Sequence, residues 1–138
     1  MLEKAVEALV VADLERLQAY YHKEKGDMFS DSGVPDYLTC IAGRMVAIET
    51  KAGNSRTLDM SQLFEGYKVA RAGGVYIVAY PDYTFFEDVL ENRSVKFDLS
   101  SEAELATDAT ELTDFDYSTF KRRWFSVNAD KSSIAFIK

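Results

Sequence analysis

Three residues stand out for the chemistry their types and spacing allow: Asp36, which follows Pro35, and Glu49 and Lys51 in the run Glu49-Thr50-Lys51. The stretch that contains them, GVPDYLTCIAGRMVAIETK from Gly33 to Lys51, reads as a β-hairpin. Residues 36–41 are β-prone after a proline, Ala42-Gly43 is a turn signal, and residues 45–50 form a second strand. If Ala42-Gly43 is a two-residue loop, Ile41 faces Arg44 and Asp36 stands directly across from Glu49. A three-residue loop with Gly43 in a bulge would set Asp36 against Ile48 instead. The first register is preferred because it gathers the polar groups. Directly opposed residues have Cβ atoms about 4.5–5.5 Å apart, and like charges there are destabilising. Lys51, two residues beyond Glu49, shares its face. Two carboxylates and an ammonium at the open end of one hairpin make poor folding chemistry and good metal chemistry. A hard cation such as Mg²⁺ or Mn²⁺ takes oxygen ligands and shares its remaining positions with water and phosphate. It can polarise a phosphoryl oxygen and acidify a bound water, while the lysine orients that water or neutralises developing charge.

The elements that must position these groups are read from periodicity. Residues 2–23 are expected to form an amphipathic helix, with Val6, Leu9, Val10, Leu14, Leu17 and Tyr21 at three- and four-residue spacing. Gly26 is its stop, and His22 is read as a surface residue. Residues 26–35 form a turn-rich loop that carries the chain to Asp36, with Asp31 as a turn former and Ser30 and Ser32 as connector residues or DNA contacts. After the polar loop 52–58, a helix is expected over residues 59–71, with Met60, Leu63, Phe64, Tyr67 and Ala70 buried. Asp59 and Gln62 have the form of a capping box. Gly73-Gly74 ends that helix, and the apolar run 75–80 is a strand of a sheet interior. A short helix is expected over 84–92. Residues 98–116 read as an acidic linker or flap. A short helix marked by Tyr117, Phe120, Trp124 and Phe125 and a strand over 134–137 complete the chain. Helix, hairpin, helix, strand makes an α/β layer with helices on a mixed sheet.

Pro35-Asp36 followed by Glu49-Thr50-Lys51 resembles the PD-(D/E)XK motif of restriction-endonuclease-like nucleases. GVPD, the short return GRMVAIETKAG, and then LDMSQLFEGYKVARAGGVYIVAY resemble the virus-type replication-repair (VRR-NUC) family. The likeness covers roughly residues 3–81. It implies a nuclease core over residues 1–92. Residues 93–138, for which the family offers no precedent, read from their composition as an acidic linker and an aromatic, basic extension packing on the core or on a dimer partner. The likeness also implies that Asp36 and Glu49 bind Mg²⁺ or Mn²⁺ and that Lys51 assists the water or the transition state. Glu3 and Glu7 lie one turn apart beside the apolar stripe of the first helix; in the resembling family a glutamate on this helix points into the metal site, and of the two Glu7 is the better match. A solvated first-turn carboxylate is the alternative for Glu7. Gln62 is implied to reach the lysine, the water or a phosphate, beside its plain reading as a cap. Tyr37 departs from the residue usual after PD, which leaves substrate preference open.

One domain accommodates 138 residues that are 47% hydrophobic. The single Cys40 excludes an internal disulfide and favours a reducing, cytoplasmic setting. Signal-peptide, membrane-span, P-loop, CxxC and HExxH patterns are not seen, so no membrane and no nucleotide cofactor are expected. A net charge of −7 opposes nucleic-acid binding if spread evenly, but residues 82–116 hold much of the acid. Arg56, Lys68, Arg122 and Arg123, with Ser32, are candidate phosphate contacts. For Arg56 a solvated charge is an equal reading, and for Lys68 the helix dipole is a sufficient one. The expected activity is a metal-dependent endodeoxyribonuclease, phage-type, selective for branched or Holliday-junction DNA, and a homodimer because two cuts suit two-fold symmetry. The competing reading, motivated by the acidic segment, is a catalytically inactive nuclease-fold binding protein or acidic DNA mimic.

Overall fold

The computed structural model describes residues 2–24, 33–91, 96–99 and 109–138. Their elements are, in order, α1 (Glu3–Arg16), β1 (Tyr20–Lys23), β2 (Tyr37–Ile41), β3 (Arg44–Thr50), α2 (Met60–Arg71), β4 (Val75–Ala79), α3 (Phe86–Glu91), β5 (Lys96–Asp98), a 3₁₀ turn (Leu112–Asp114), α4 (Tyr117–Val127) and β6 (Ile134–Ile137). The fold is mixed α/β, and the helix, hairpin, helix, strand succession is present as α1, β2–β3, α2 and β4. One six-stranded sheet runs in the order β1-β2-β3-β4-β6-β5. Its β3–β4 and β5–β6 pairs are parallel and the others antiparallel.

The hairpin adopts the register with Ile41 opposite Arg44 and Tyr37 opposite Ile48. Ala42 (φ 51°) and Gly43 (φ 83°) both lie in the left-handed region, as a two-residue turn matched to strand twist requires. Asp36 lies one residue before β2, level with Glu49. The peptide N–H of Glu24 donates to its carbonyl at 2.8 Å.

The helix expected over residues 2–23 is shorter. It ends at Arg16, Gln18 turns through φ 53°, and Tyr20–Lys23 form the edge strand β1 on β2. The apolar positions through Tyr21 satisfy either periodicity. Pairing with β2, and the edge-to-face contact of Tyr21 with Tyr37 at 6.4 Å, decide for the strand.

Alternation along β3 and β4 separates two cores. One face carries Val46, Ile48, Val75, Ile77 and Ala79 under Val6, Val10 and Leu14 of α1 and Phe86 and Val89 of α3. The other carries Ala47, Tyr76 and Val78 under Leu63, Phe64, Tyr67 and Ala70 of α2 and Phe120 and Trp124 of α4. Gly66 lets α2 settle directly on this face: a Cβ there would come within 2.7 Å of the Phe136 ring. Asp13 of α1 is buried and fully engaged, accepting from the Tyr83 hydroxyl (2.6 Å), the Phe86 peptide N–H (2.8 Å) and Arg16 Nε (2.7 Å). Each bond offsets the desolvation of that carboxylate and fixes α1 against α3.

The tail packs on the core. β6 inserts beside β4, and Phe97 stacks on Phe136 at 4.4 Å while Trp124 lies fully buried. These aromatics share one core with the buried residues of α2. Of the acidic stretch expected over 98–116, residues 100–108 lie outside the described residues; Ala109 and Phe115 are buried against the α2 core. No helix among the described residues is long and apolar enough to cross a membrane.

Candidate metal centre

The site lies where β3 ends. Asp36 arrives from the strand start beside it, Glu49 and Lys51 from β3 and its continuation, and the first turns of α1 and α2 from opposite faces of the sheet. Gly33 is needed for this approach: its φ is 84°, and a Cβ on it would strike the Ser61 backbone at 2.6 Å. The loop before Asp36 therefore lies directly on the start of α2.

Carboxylate oxygens of Glu3, Asp36 and Glu49 all fall within 4.8 Å of one another. An ion about 2.0–2.6 Å from each would bring oxygens to that spacing. Asp36 is oriented by Thr50, whose peptide N–H (2.8 Å) and hydroxyl (2.7 Å) both approach Asp36 Oδ2. The same hydroxyl is 3.3 Å from Glu3 Oε1. On the opposite face Gln62 ties two groups together. Its Nε2 donates to Glu49 Oε1 at 3.2 Å, and its Oε1 accepts from Lys51 Nζ at 3.3 Å. Gln62 also closes the capping box of α2, its Oε1 accepting from the Asp59 peptide N–H at 3.1 Å while its own N–H donates to Asp59 Oδ1 at 2.9 Å. Gln62 thus caps α2 and touches Glu49 and Lys51 at once, because the third residue of α2 sits over the end of β3.

Glu49 is the electrostatic centre. It is 6% exposed, and its Oε2 has no hydrogen-bond partner among the described residues. Burial first, then the negative charge of Asp36, pushes its carboxyl up to about 8, against the opposing pull of Lys51. An orphaned buried carboxylate oxygen within a cluster of three carboxylates fits a hard divalent cation, which supplies the missing positive charge.

Only some of the sequence candidates meet at this site. Asp36, Glu49, Lys51 and Gln62 converge. Glu7 does not join them: its Oε2 accepts from Lys23 Nζ at 3.2 Å, and Glu3, one turn earlier, is the α1 carboxylate in the cluster. The sheet edge supplies the reason, since β1 brings Lys23 against Glu7. Arg56 does not project as a free charge. It donates to the Phe125 carbonyl at 2.8 Å and stacks over the Phe125 ring, and its own carbonyl accepts from Trp124 Nε1 and, at 3.2 Å, from Asn128 Nδ2. Lys68 pairs with Glu65 at 2.8 Å and covers the Phe64 ring, toward the end of α2 away from the site. Arg122 and Arg123, with Thr119 and Ser126, line a shallow cavity of about 250 Å³ on α4. Ser32, like Ser30 and Asp31, lies outside the described residues.

Sequence reasoning set Glu7 above Glu3 and missed Thr50. Glu3 carried the same signal as Glu7, an acidic residue in the first turn. Thr50 carried none beyond its place between Glu49 and Lys51.

No family model matches the chain, and no curated protein matches it. Among solved structures the chain is similar to one described as a VRR_NUC domain, at 22% identity and TM-score 0.49, over 66% of this chain and 96% of that one. It is also similar to Hjc, a Holliday junction resolvase from the archaeal hyperthermophile Archaeoglobus fulgidus, at 16% identity and TM-score 0.42, over 58% of this chain and 70% of that one.

Proposed function

We propose that this protein is a divalent-metal-dependent endodeoxyribonuclease. The observation that carries the reading is the cluster of Glu3, Asp36 and Glu49 beside Lys51, with the buried Glu49 Oε2 lacking a hydrogen-bond partner among the described residues. Folding alone gives no return for that arrangement, since like charges are crowded and one is desolvated.

Glu3, Asp36 and Glu49 are the residues that would hold the ion, Mg²⁺ or Mn²⁺. Such a cation supplies charge neutralisation at a phosphoryl oxygen and acidifies water. The chain's own groups set the geometry. Thr50 orients Asp36 through two hydrogen bonds and approaches Glu3 with the same hydroxyl. Gln62 holds Glu49 and Lys51 in a fixed relation, so the ammonium stands beside the carboxylates rather than sweeping through solvent. Its positive charge then offsets charge developing on a phosphodiester, a preorganised electrostatic contribution. Lys51 is partly exposed, as contact with a large substrate requires.

The substrate is DNA, with a preference for branched forms such as four-way junctions, and the active form is a homodimer. The motif resemblance supports both choices, and two-fold symmetry would place two cuts. Arg122 and Arg123 on α4 are proposed as phosphate contacts. A nicking assay on four-way junctions and linear duplexes, with Mg²⁺ or Mn²⁺, tests the reading. Cleavage is expected to favour the junction and to disappear in Asp36→Ala, Glu49→Ala and Lys51→Ala. Unchanged cutting by those variants would overturn the assignment.

A further inference from the structure

Among the described residues, Glu49 Oε2 and Tyr76 Oη are buried polar atoms without a hydrogen-bond partner, and they lie on the same face of neighbouring strands. In the parallel β3–β4 ladder Tyr76 stands opposite Ala47, and Glu49 is two residues further along β3. The two side chains are therefore diagonal neighbours on one face of the sheet, both beside the short Ala47. The Tyr76 ring is pinned in place. Phe136 meets it edge to face at 5.2 Å, and at Gly66 of α2 even a Cβ would press to 3.0 Å from it.

The hydroxyl lies in the field of carboxylates that include those of the metal centre. Burial raises its pKa most, and the carboxylates that add to this are Glu49 foremost, then Glu65, Asp36 and Asp59. Three of those four belong to the centre or to the α2 cap above it. A phenylalanine would fill the same apolar volume with no buried hydroxyl to satisfy. Around Glu49 the described donor is Gln62 Nε2, which serves Oε1. A neutral Glu49 carries its own proton, whereas an ionised one needs further donors.

We propose that Tyr76 is a positioning residue for Glu49, its hydroxyl hydrogen-bonding to the Glu49 carboxylate across a short buried gap that one water spans. The inference rests on the metal-centre reading of the site. Metal-ligating carboxylates are themselves held by such outer partners, whose loss weakens metal affinity about 10–100-fold, and a bridging water joins two buried polar groups at little loss.

The test is Tyr76→Phe, compared with wild type and Glu49→Gln by thermal unfolding across a Mn²⁺ titration, with calorimetric Mn²⁺ binding alongside. Metal-free Tyr76→Phe is expected to melt at or above the wild-type temperature, because the variant keeps the packed ring and removes only a hydroxyl with no direct partner among the described residues. Its Mn²⁺ midpoint is expected to rise about tenfold, and Glu49→Gln to lose the Mn²⁺ response. A Tyr76→Phe protein that binds Mn²⁺ as wild type does, while Glu49→Gln does not, would overturn the role of Tyr76 and leave the metal centre standing. Failure of Tyr76→Phe to fold would also overturn it, since the hydroxyl would then be serving the fold. A Mn²⁺ response that survives Glu49→Gln would overturn the metal centre itself and this inference with it.

Discussion

Removing the proton from Glu49 is the perturbation that separates this site from an ordinary buried network. The group titrates near 4.5 in an open chain and is pushed up to about 8 in the fold, by burial and by Asp36. Between those values the unfolded chain has lost a proton that the native chain keeps. Metal-free stability must therefore fall as pH rises from about 5 to 8. For an ideal group the loss is roughly 3.5 kcal/mol over that window, and about 2 kcal/mol after allowance for the high effective dielectric of protein sites. In a chain of this size that is about 6–10 °C in melting temperature. The assay is chemical or thermal unfolding from pH 5 to 8 in chelator, for wild type and Glu49→Gln. The difference between them isolates Glu49 from other titrating groups, and the wild type should lose its stability relative to the variant as pH rises. Saturating Mn²⁺ should reverse the trend, because the ion replaces the proton and its apparent affinity falls about tenfold per pH unit below 8. A wild-type minus variant difference that stays flat across the window would refute the reasoning.

Two further outcomes are expected. Glu3→Gln should raise the Mn²⁺ or Mg²⁺ concentration for half-maximal cleavage about tenfold or more, whereas Glu7→Gln, which removes only the partly exposed pair with Lys23, should leave it within twofold and cost at most about 1 kcal/mol of stability. Gln62→Ala breaks the reciprocal cap and both ties to the site, so denaturant unfolding should register a loss of about 1 kcal/mol and the nicking rate should drop about 10–100-fold.

Local chemistry made the hairpin legible. Ala42-Gly43 is a turn in which both residues must take positive φ, and once that loop has two residues the opposition of Asp36 and Glu49 is set by strand periodicity alone. The capping role of Gln62 was legible from Asp59 three residues before it, whereas its reach to Lys51 was implied only by the motif resemblance.

Sequence by itself thus determined the polar hairpin, the α2 cap and the aromatic character of the tail. Tertiary structure decided what those features meet. Glu3 and Glu7 lie one turn apart and are equivalent in the sequence; the docking of α1 through buried Asp13, and the arrival of Lys23 on β1, send one to the metal centre and the other to an ion pair. Leu17 and Tyr21 fit a helix as well as they fit a turn and a strand, and only the partner strand β2 ends the helix at Arg16. Arg56 reads as a solvated or phosphate-seeking charge, yet its partners lie 68 to 72 residues away on α4 and just past its end. Contacts of that separation leave no trace in local pattern, because they depend on which faces the sheet brings together rather than on any residue's own preference.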